Sequence, residues 1–192
     1  GCSDVRPLVV GSEILFVQRG GKKIRNFFYS LESDGYESTD LTILADNIFD
    51  NVTITDWAYD EQNQRFWVVV SDGTLRSLTY NKSQKVWAWA NHNTQGSVKT
   101  VCVLKGDSDS EVYIAALRTR YTSETEYENI YCVEQLYEGV RTAPETSFCV
   151  DSGLYYSGAA TDSVSGLDHL AGRAVSVLAD GGVVENKTVA LD

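Results

Sequence analysis

Short apolar runs separated by turn residues recur along most of the chain, and this pattern limits the folds that it can adopt. Residues 53–92, TITDWAYDEQNQRFWVVVSDGTLRSLTYNKSQKVWAWANH, contain four such runs. The breaks between them fall at Asp60 to Gln64, at Asp72-Gly73 and at Asn81 to Gln84. Runs of this length and alternation are typical of antiparallel strands. Asp72-Gly73 predicts a type I′ hairpin turn with Gly73 at positive φ, because that turn needs two residues that tolerate positive φ.

Similar runs lie on both sides of this stretch. Residues 13–30, EILFVQRGGKKIRNFFYS, predict an antiparallel hairpin that turns at Gly20-Gly21. Residues 97–136 predict three further strands, with breaks at Gly106 to Ser110 and at Tyr121 to Tyr127. Strands therefore account for most of the chain between residues 13 and 136.

One helix is predicted in STDLTILADNIF, residues 38–49. Thr39 or Asp40 can cap its N-terminus, since both side chains accept hydrogen bonds from the first free amides. Four apolar residues would then lie on one helical face: Leu41, Leu44, Ala45 and Ile48.

The strands group into units of three or four, and each unit spans roughly 40 to 45 residues, the length of a propeller blade. We therefore predict an all-β fold of antiparallel, blade-like meanders that form part of a β-propeller. Three units would not close a propeller, which usually has about four to eight blades. This count, and a sequence with no methionine, lead us to expect that the chain is a segment of a larger protein.

The composition changes near residue 140, where Gly, Ser, Thr and Ala become frequent and Pro144 appears. RAVSVLADGGVVENKTVAL, residues 173–191, predicts two or three strands around Asp180-Gly181-Gly182. We therefore expect a propeller-like β-meander domain over residues 1–140 and the start of a small β domain over residues 141–192.

The four tryptophans raise the question of why a hairpin that contains no catalytic residue is so rich in aromatic side chains. In stacked blades both faces of a sheet are covered, so large flat side chains would fill the space between sheets. We expect Trp57, Trp67, Trp87 and Trp89 to be core residues, each contributing on the order of 3 kcal/mol or more on burial. The alternative is an exposed platform on which sugar rings stack.

Charge and hydropathy exclude several classes of partner. The formal net charge is −11, so the chain would repel the phosphates of nucleic acid and should not bind it tightly. No apolar run approaches the roughly 18 residues of a membrane span. No signal peptide is recognisable at the N-terminus, where a basic start followed by an apolar stretch is missing.

The cysteines Cys2, Cys102, Cys132 and Cys149 do not form a C-x-x-C pair, so their spacing disfavours a structural zinc site. Cys102 and Cys132 lie within apolar strand patterns. We expect both to be buried free thiols, with a disulfide as the alternative.

The search for catalytic, cofactor-binding and metal-binding residues identifies none. His92 follows a Trp-rich strand, and no neighbouring Ser or Cys suggests a triad. His169 stands beside Asp168 in GLDHLAG, but adjacent side chains usually point apart. SDGTL resembles the structural Asp-box turn only loosely, because its spacing differs. The acidic loop at residues 106–111 lacks the complete calcium-binding frame, so we expect a solvated loop.

Several ordered motifs resemble structural tail proteins of tailed bacteriophages and prophages. They begin with GCSDVRPLVVGSEILFVQRGGKKIRNFFYSLESDGYESTDLTILADNIF and continue through DWAYDEQNQRFWVVVSDGTLRSLTY and VWAWANHNTQGSV. YCVEQL and SGLDHLAGRAVSVLADG resemble later parts of the same family, so the similarity covers nearly the whole chain. The resemblance implies a virion component of the tail tube, nozzle or connector, sometimes described as a DNA-stabilisation protein, and no enzyme.

The residues and the resemblance lead to one expected mechanism. A tail wall must be rigid and must let DNA pass, which antiparallel sheets and negative charge facing the channel would favour. We expect copies of the chain to assemble into a ring with neighbouring tail and portal proteins. The structural residues would be Gly20, Gly21, Gly73, the tryptophans and the GLDHLAGR loop. Two alternatives remain, a propeller that degrades glycans, which would need a carboxylate pair, and a module that binds a surface glycan.

Overall fold

The fold was analysed in a computed structural model that describes residues 1–106, 109–123, 125–136 and 150–190. Thirteen strands occur in these ranges: β1 (Leu8–Val10), β2 (Glu13–Val17), β3 (Ile24–Ser30), β4 (Gly35–Glu37), β5 (Ile54–Asp60), β6 (Arg65–Val70), β7 (Leu75–Asn81), β8 (Val86–His92), β9 (Ser97–Lys105), β10 (Ser110–Tyr121), β11 (Tyr127–Leu136), β12 (Ala174–Ala179) and β13 (Gly182–Thr188). Two short 3-10 helices are η1 (Asp46–Phe49) and η2 (Asp168–Leu170).

The strands form four separate antiparallel sheets, and the described part of the chain contains no closed barrel. Sheet 1 has the order β1-β2-β3-β4, sheet 2 the order β5-β6-β7-β8, sheet 3 the order β11-β10-β9, and sheet 4 consists of β12 and β13. Neighbours in each sheet are consecutive in the chain, so every sheet is a meander. The predicted all-β, antiparallel meander architecture is confirmed, whereas the propeller stays a prediction.

The chain divides into two compact units. Unit 1 comprises Gly1–Ala116 and Cys132–Glu138, and unit 2 comprises Leu117–Tyr131 and Gly139–Asp192. The boundary predicted between residues 140 and 141 lies outside the described residues, as do Pro144 and Cys149. In unit 2, β12 and β13 pair through Ala179 and Gly182, with Asp180 and Gly181 both at positive φ. The hairpin predicted around Asp180-Gly181-Gly182 is thus confirmed.

Sheet 2 lies between the two cores of unit 1, because its strand β6 is buried on both faces. Phe66, Val68 and Val70 of β6 pack into one apolar cluster with Leu15, Val17 and Ile24 of sheet 1. On the opposite face, Trp67 and Val69 pack into a second cluster with residues of sheet 3: Val98, Val101, Val112, Ile114 and Ala116. Alternate residues of one strand therefore enter two different cores, as the period of two in a strand requires.

A β-bulge connects sheets 2 and 3. The register of β5 against β6 shifts between Ile54 and Asp56. Asp56 Oδ2 accepts hydrogen bonds from the backbone N–H of Val101, at 3.1 Å, and from the hydroxyl of Thr100. Because the extra residue in a bulge turns a side chain out of the regular alternation, this carboxylate can hold β9 beside β5.

The two predicted hairpin turns form, although one has a different type. Gly20 and Gly21 both have positive φ between β2 and β3. At the β6–β7 turn, Gly73 has φ +84° but Asp72 is not among the residues with positive φ. The N–H of Gly73 donates to Val70 O at 2.9 Å and the N–H of Val70 donates to Thr74 O at 3.2 Å. This pattern is a three-residue loop, a type I turn followed by a left-handed glycine, and the predicted type I′ turn is wrong.

The helix predicted over residues 38–49 is wrong except for its last turn, η1. Asp40 forms a bridge with Arg25, and the N–H of Leu41 donates to Ile24 O at 2.9 Å, so this segment continues along the edge of sheet 1. Asp40 Oδ1 accepts the N–H of Thr42 at 2.9 Å, which is a turn rather than a helix cap. Leu44 is 91% exposed. Backbone pairing with β3 thus outweighs the helical periodicity of the side chains.

Candidate interaction surface

The tryptophans lie mostly in the core. Trp57 and Trp67 are buried in the clusters on the two faces of sheet 2. Trp89 is half-buried; its indole N–H donates to Leu41 O at 3.0 Å and its ring meets Phe49 edge-on at 4.9 Å. Trp87 is 39% exposed, so its predicted place in the core is wrong. β8 is an edge strand of sheet 2, which leaves this side chain open to solvent.

The cysteine prediction is half correct. Cys2, Cys102 and Cys132 are free thiols, but Cys2 and Cys102 are exposed and Cys132 is only partly buried. Val101 and Val103 of β9 face the core between sheets 2 and 3, so the intervening Cys102 points to the opposite face. The predicted burial of Cys102 and Cys132 is therefore wrong.

Both histidines share a hydrogen bond with a serine. His92 Nε2 and Ser77 Oγ are 2.8 Å apart, and His92 lies 5.0 Å from the ring of Trp67. Burial, with a smaller contribution from the charge of Arg65, lowers the pKa of His92. Ser77 is itself buried and pairs in register with Trp67, whose side chain enters the core toward sheet 3. Ser77 is therefore buried, whereas His92 is half-buried and lies on the edge strand β8.

The pair in unit 2 lies at the surface. His169 Nε2 and Ser152 Oγ are 2.8 Å apart, so the hydrogen-bond partner of His169 is Ser152 and not the adjacent Asp168. The two residues of each pair are 15 and 17 positions apart in the chain, and no known motif spacing predicts either pair. A Ser–His bond alone does not make a nucleophile, because catalysis also needs an oriented base and donors for an oxyanion.

One buried carboxylate connects sheets 1 and 2. Glu13 is 2% exposed, and its Oε2 accepts hydrogen bonds from Tyr80 Oη at 2.6 Å and from Asn26 Nδ2 at 3.2 Å. Its Oε1 forms an ion pair with Lys82, whose Nζ lies 5.0 Å from the centre of the Phe28 ring. A buried charge is tolerated when it is paired and hydrogen-bonded. Glu13 therefore acts as a polar link that fixes sheet 1 on sheet 2.

The role of Glu13 was not predicted from the sequence, although the alternation of β2 indicates that this residue faces inward. Glu13, Leu15 and Val17 alternate along β2, so an inward Leu and Val place Glu13 on the same inward face.

The outer face of sheet 1, named here the sheet 1 end face, is exposed and apolar. It is defined by Val9, Ile14, Phe27, Tyr29 and Tyr36, all exposed. Val9 pairs with Ile14, Ile14 with Phe27, and Tyr29 with Tyr36, so the side chains form a continuous row across four strands. The rings of Phe27 and Tyr36 stack at 4.9 Å with their planes 7° apart.

The outer face of sheet 3, named here the sheet 3 end face, lies on the far side of the second core. It is defined by Cys102, Leu104, Tyr113, Ala115 and Val133. Their strand neighbours Val103, Val112, Ile114, Ala116 and Leu136 face the core between sheets 2 and 3, so the alternation of each strand directs the defining residues outward. Leu104 and Val133 are exposed, the latter by 78%. Unit 1 therefore contains a stack of sheet 1, sheet 2 and the part of sheet 3 that belongs to this unit, with an apolar face at each end.

The described residues offer no group of three or more His, Cys, Asp and Glu side chains that could hold a metal ion. The acidic loop at residues 106–111 is described only at Gly106 and from Asp109 onward. Among the described helices none is long and apolar enough to cross a membrane. A search of protein-family models finds no match to the chain, and no curated protein matches it.

Proposed function

We propose that this chain is a non-enzymatic structural component of a bacteriophage or prophage tail. In this role copies of the chain, with neighbouring tail and portal proteins, form a ring that is part of the tube, nozzle or connector wall through which DNA passes. The chain would be made in the bacterial host and reside in the virion. The observation that supports this role best is the stack of three antiparallel sheets with an apolar face at each end.

The physical support for this proposal is the stiffness of the packed sheets and the exposed faces through which copies can contact one another. Two closely packed cores on either side of sheet 2 make a unit that resists deformation, since protein interiors are packed as densely as organic crystals. Exposed apolar faces of this kind mark interaction sites more often than accidental exposure. The motifs that resemble phage tail proteins extend over the same strands, and the net charge of −11 suits a wall that DNA passes without binding.

A surface glycan is the second candidate ligand, because the sheet 1 end face contains a cluster of exposed aromatic rings. The rings of Phe27 and Tyr36 stack with nearly parallel planes, and Tyr29 meets Tyr36 edge-on at 5.6 Å. Aromatic faces of this kind can stack on sugar rings. The tryptophans give this alternative less support, since Trp57 and Trp67 are buried.

Two experiments test the proposed function. Antibodies against the chain, viewed by electron microscopy on particles released from the source bacterium, should label the tail at one axial position. Particles that contain no copy of the protein would contradict the proposal. In a fluorescence-anisotropy titration at physiological salt, the chain should leave duplex DNA unbound, and micromolar, salt-sensitive binding would contradict a wall that DNA slides past.

A further inference from the structure

We propose that strand β8, the open edge of sheet 2, pairs antiparallel with β8 of a second copy of the chain about a two-fold axis. The pairing would join two four-stranded sheets, each with the order β5-β6-β7-β8, into one continuous sheet. This contact goes beyond the proposed tail function and does not depend on it, because it uses a strand edge and neither of the two end faces.

The two edges of sheet 2 differ in their surroundings. Sheet 2 ends at β5 on one side and at β8 on the other. β5 lies beside β9, where Asp56 accepts a hydrogen bond from the N–H of Val101 at 3.1 Å. By contrast, five of the seven residues of β8 are exposed. A further strand can therefore add to sheet 2 at β8.

The hydrogen bonds of β7 determine which backbone groups of β8 face β7. The N–H of Tyr80 donates to Gln64 O at 2.8 Å, on the β6 side of the strand. Because backbone groups alternate between the two sides of a strand, the neighbouring Thr79 directs its N–H and C=O to β8. Thr79 is opposite Ala88, so Ala88 and every second residue from it direct their backbone groups to β7.

The intervening residues of β8 direct their backbone groups away from the sheet. These residues are Trp87, Trp89 and Asn91, and their N–H and C=O groups have no backbone partner among the residues that the structure describes. Such a row of donors and acceptors is a template for another strand. Residues 86–92, VWAWANH, contain no Lys, Arg, Asp, Glu or Pro, and their register against β7 has no bulge. β8 therefore lacks the features by which edge strands usually avoid pairing.

The sequence of β8 fits a second copy of itself. A two-fold axis at Trp89 pairs the whole strand and brings the outward backbone groups of both copies together, with about six hydrogen bonds between them. Trp89 then lies opposite the partner's Trp89, and aromatic pairs of this kind stabilise antiparallel strands. On the other side of the sheet Ala88 lies opposite the partner's Ala90, so two small side chains meet without obstruction.

Charge favours the antiparallel arrangement over a parallel one. Lys85 immediately precedes β8. In the antiparallel pair the Lys85 residues of the two copies lie at opposite ends of the contact, about 26 Å apart at a rise of about 3.3 Å per residue. A parallel pair would place them side by side, where like charges repel. Within the contact itself no charged side chains oppose each other.

The size of the contact sets its expected strength. Two strands of this length with side chains about 10 Å deep bury roughly 500 Å², below the roughly 1,200 Å² of a stable complex. Strand addition draws its affinity mainly from main-chain hydrogen bonds. We therefore expect the chain to be monomeric at micromolar and dimeric at millimolar concentration.

A charge-swap experiment tests both the contact and its register. Ala88 and Ala90 are exposed, and each lies opposite the other residue of the partner, so the double variant Ala88→Lys/Ala90→Lys brings like charges together. Ala88→Glu/Ala90→Glu does the same with carboxylates. In sedimentation velocity from micromolar to millimolar concentration, each double variant should stay monomeric while wild type dimerises. An equimolar mixture of the two double variants should form a heterodimer that is weakened by salt.

A second pair of variants tests the backbone hydrogen bonds. Asn91→Pro removes an outward N–H from each copy without removing a bond to β7, and should weaken dimerisation by about tenfold or more. Asn91→Ala is the matched control, because it keeps the N–H, and it should dimerise as wild type does. Tryptophan fluorescence and circular dichroism show whether each variant is folded.

Three results would overturn this contact. They are a wild type that stays monomeric at millimolar concentration, double variants that associate as wild type does, and equal dimerisation of Asn91→Pro and Asn91→Ala. Double variants that stay monomeric when mixed would exclude the two-fold register at Trp89. Labelling of the tail by antibody tests the proposed function separately and has the same meaning in each of these cases.

Discussion

Gly73 occupies a position where both backbone angle and space exclude a side chain. Its φ is +84°, and a Cβ placed there would lie 2.8 Å from Ser97 Cβ and 3.1 Å from Ser97 Cα. The N–H of Val98 donates to Gly73 O at 2.8 Å, so the turn of sheet 2 is attached to the start of β9. Gly73→Ala would therefore have to push away the strand that leads Val98 into the second core.

The expected loss of stability in Gly73→Ala has two contributions, and a control variant can separate them. A non-glycine residue in the left-handed region costs about 1 kcal/mol, and overpacking against a backbone costs about 1–3 kcal/mol. We expect Gly73→Ala to lower the free energy of unfolding by about 2–4 kcal/mol. Gly11 also has positive φ, +57°, but a Cβ there would meet nothing within 4 Å. Gly11→Ala should therefore cost only about 1 kcal/mol.

Urea unfolding followed by tryptophan fluorescence measures both variants, and all four tryptophans lie in unit 1. With an m-value of about 2 kcal/mol/M, the Gly73→Ala midpoint should fall by about 1–2 M and the Gly11→Ala midpoint by about 0.5 M. Equal losses in the two variants would refute the steric argument and leave only the cost of the backbone angle.

Three further predictions concern single side chains. Glu13→Ala should lower the free energy of unfolding by about 2–4 kcal/mol, because it leaves the buried Tyr80 hydroxyl and Asn26 amide without an acceptor. Lys82→Met should also destabilise the protein, because it leaves the buried Glu13 carboxylate without its counter-charge. An unchanged urea midpoint in either variant would contradict this. Trp87→Phe should remove most of the iodide-quenchable fluorescence, because Trp87 is exposed, and Trp57→Phe should remove almost none, because Trp57 is buried. A quenching titration in which Trp57→Phe removes more of this fluorescence than Trp87→Phe would contradict the assignment. Burial lowers the pKa of His92, so the unfolded chain takes up a proton first and the free energy of unfolding should fall as pH drops below about 6.5. Denaturation at several pH values should show a smaller fall in this free energy for His92→Gln. An identical pH profile would count against burial of the imidazole.

Local patterns along the chain were sufficient to predict most strands. The hairpin at Gly20-Gly21 and the four strands of residues 53–92 follow from alternation and turn residues, which act over a few positions. The apolar periodicity of residues 38–49 was misleading, because Leu41 and Asp40 find backbone partners on β3. That choice depends on a neighbouring strand, which a single-segment pattern does not contain.

The interaction surfaces were harder to predict than the strands. The continuous apolar run of β6 is typical of a strand buried on both faces, and in the structure its side chains pack into both cores of unit 1. Which sheets have an uncovered face depends on the order of stacking, and that order is set by long-range packing. The Ser77–His92 hydrogen bond likewise depends on the register of β7 against β8, which becomes definite only when both strands are paired.

The burial of β6 on both faces also has a consequence for the newly made chain. Phe66–Val70, FWVVV, has no charge, proline or glycine, the composition of segments that stack into cross-β aggregates when exposed. In the native sheet it is flanked by β5 and β7, each joined to it by only four residues. Hairpins with such short connections close in about 1–10 µs. The chain order thus lets its most aggregation-prone strand be paired with its own neighbours before another molecule can reach it.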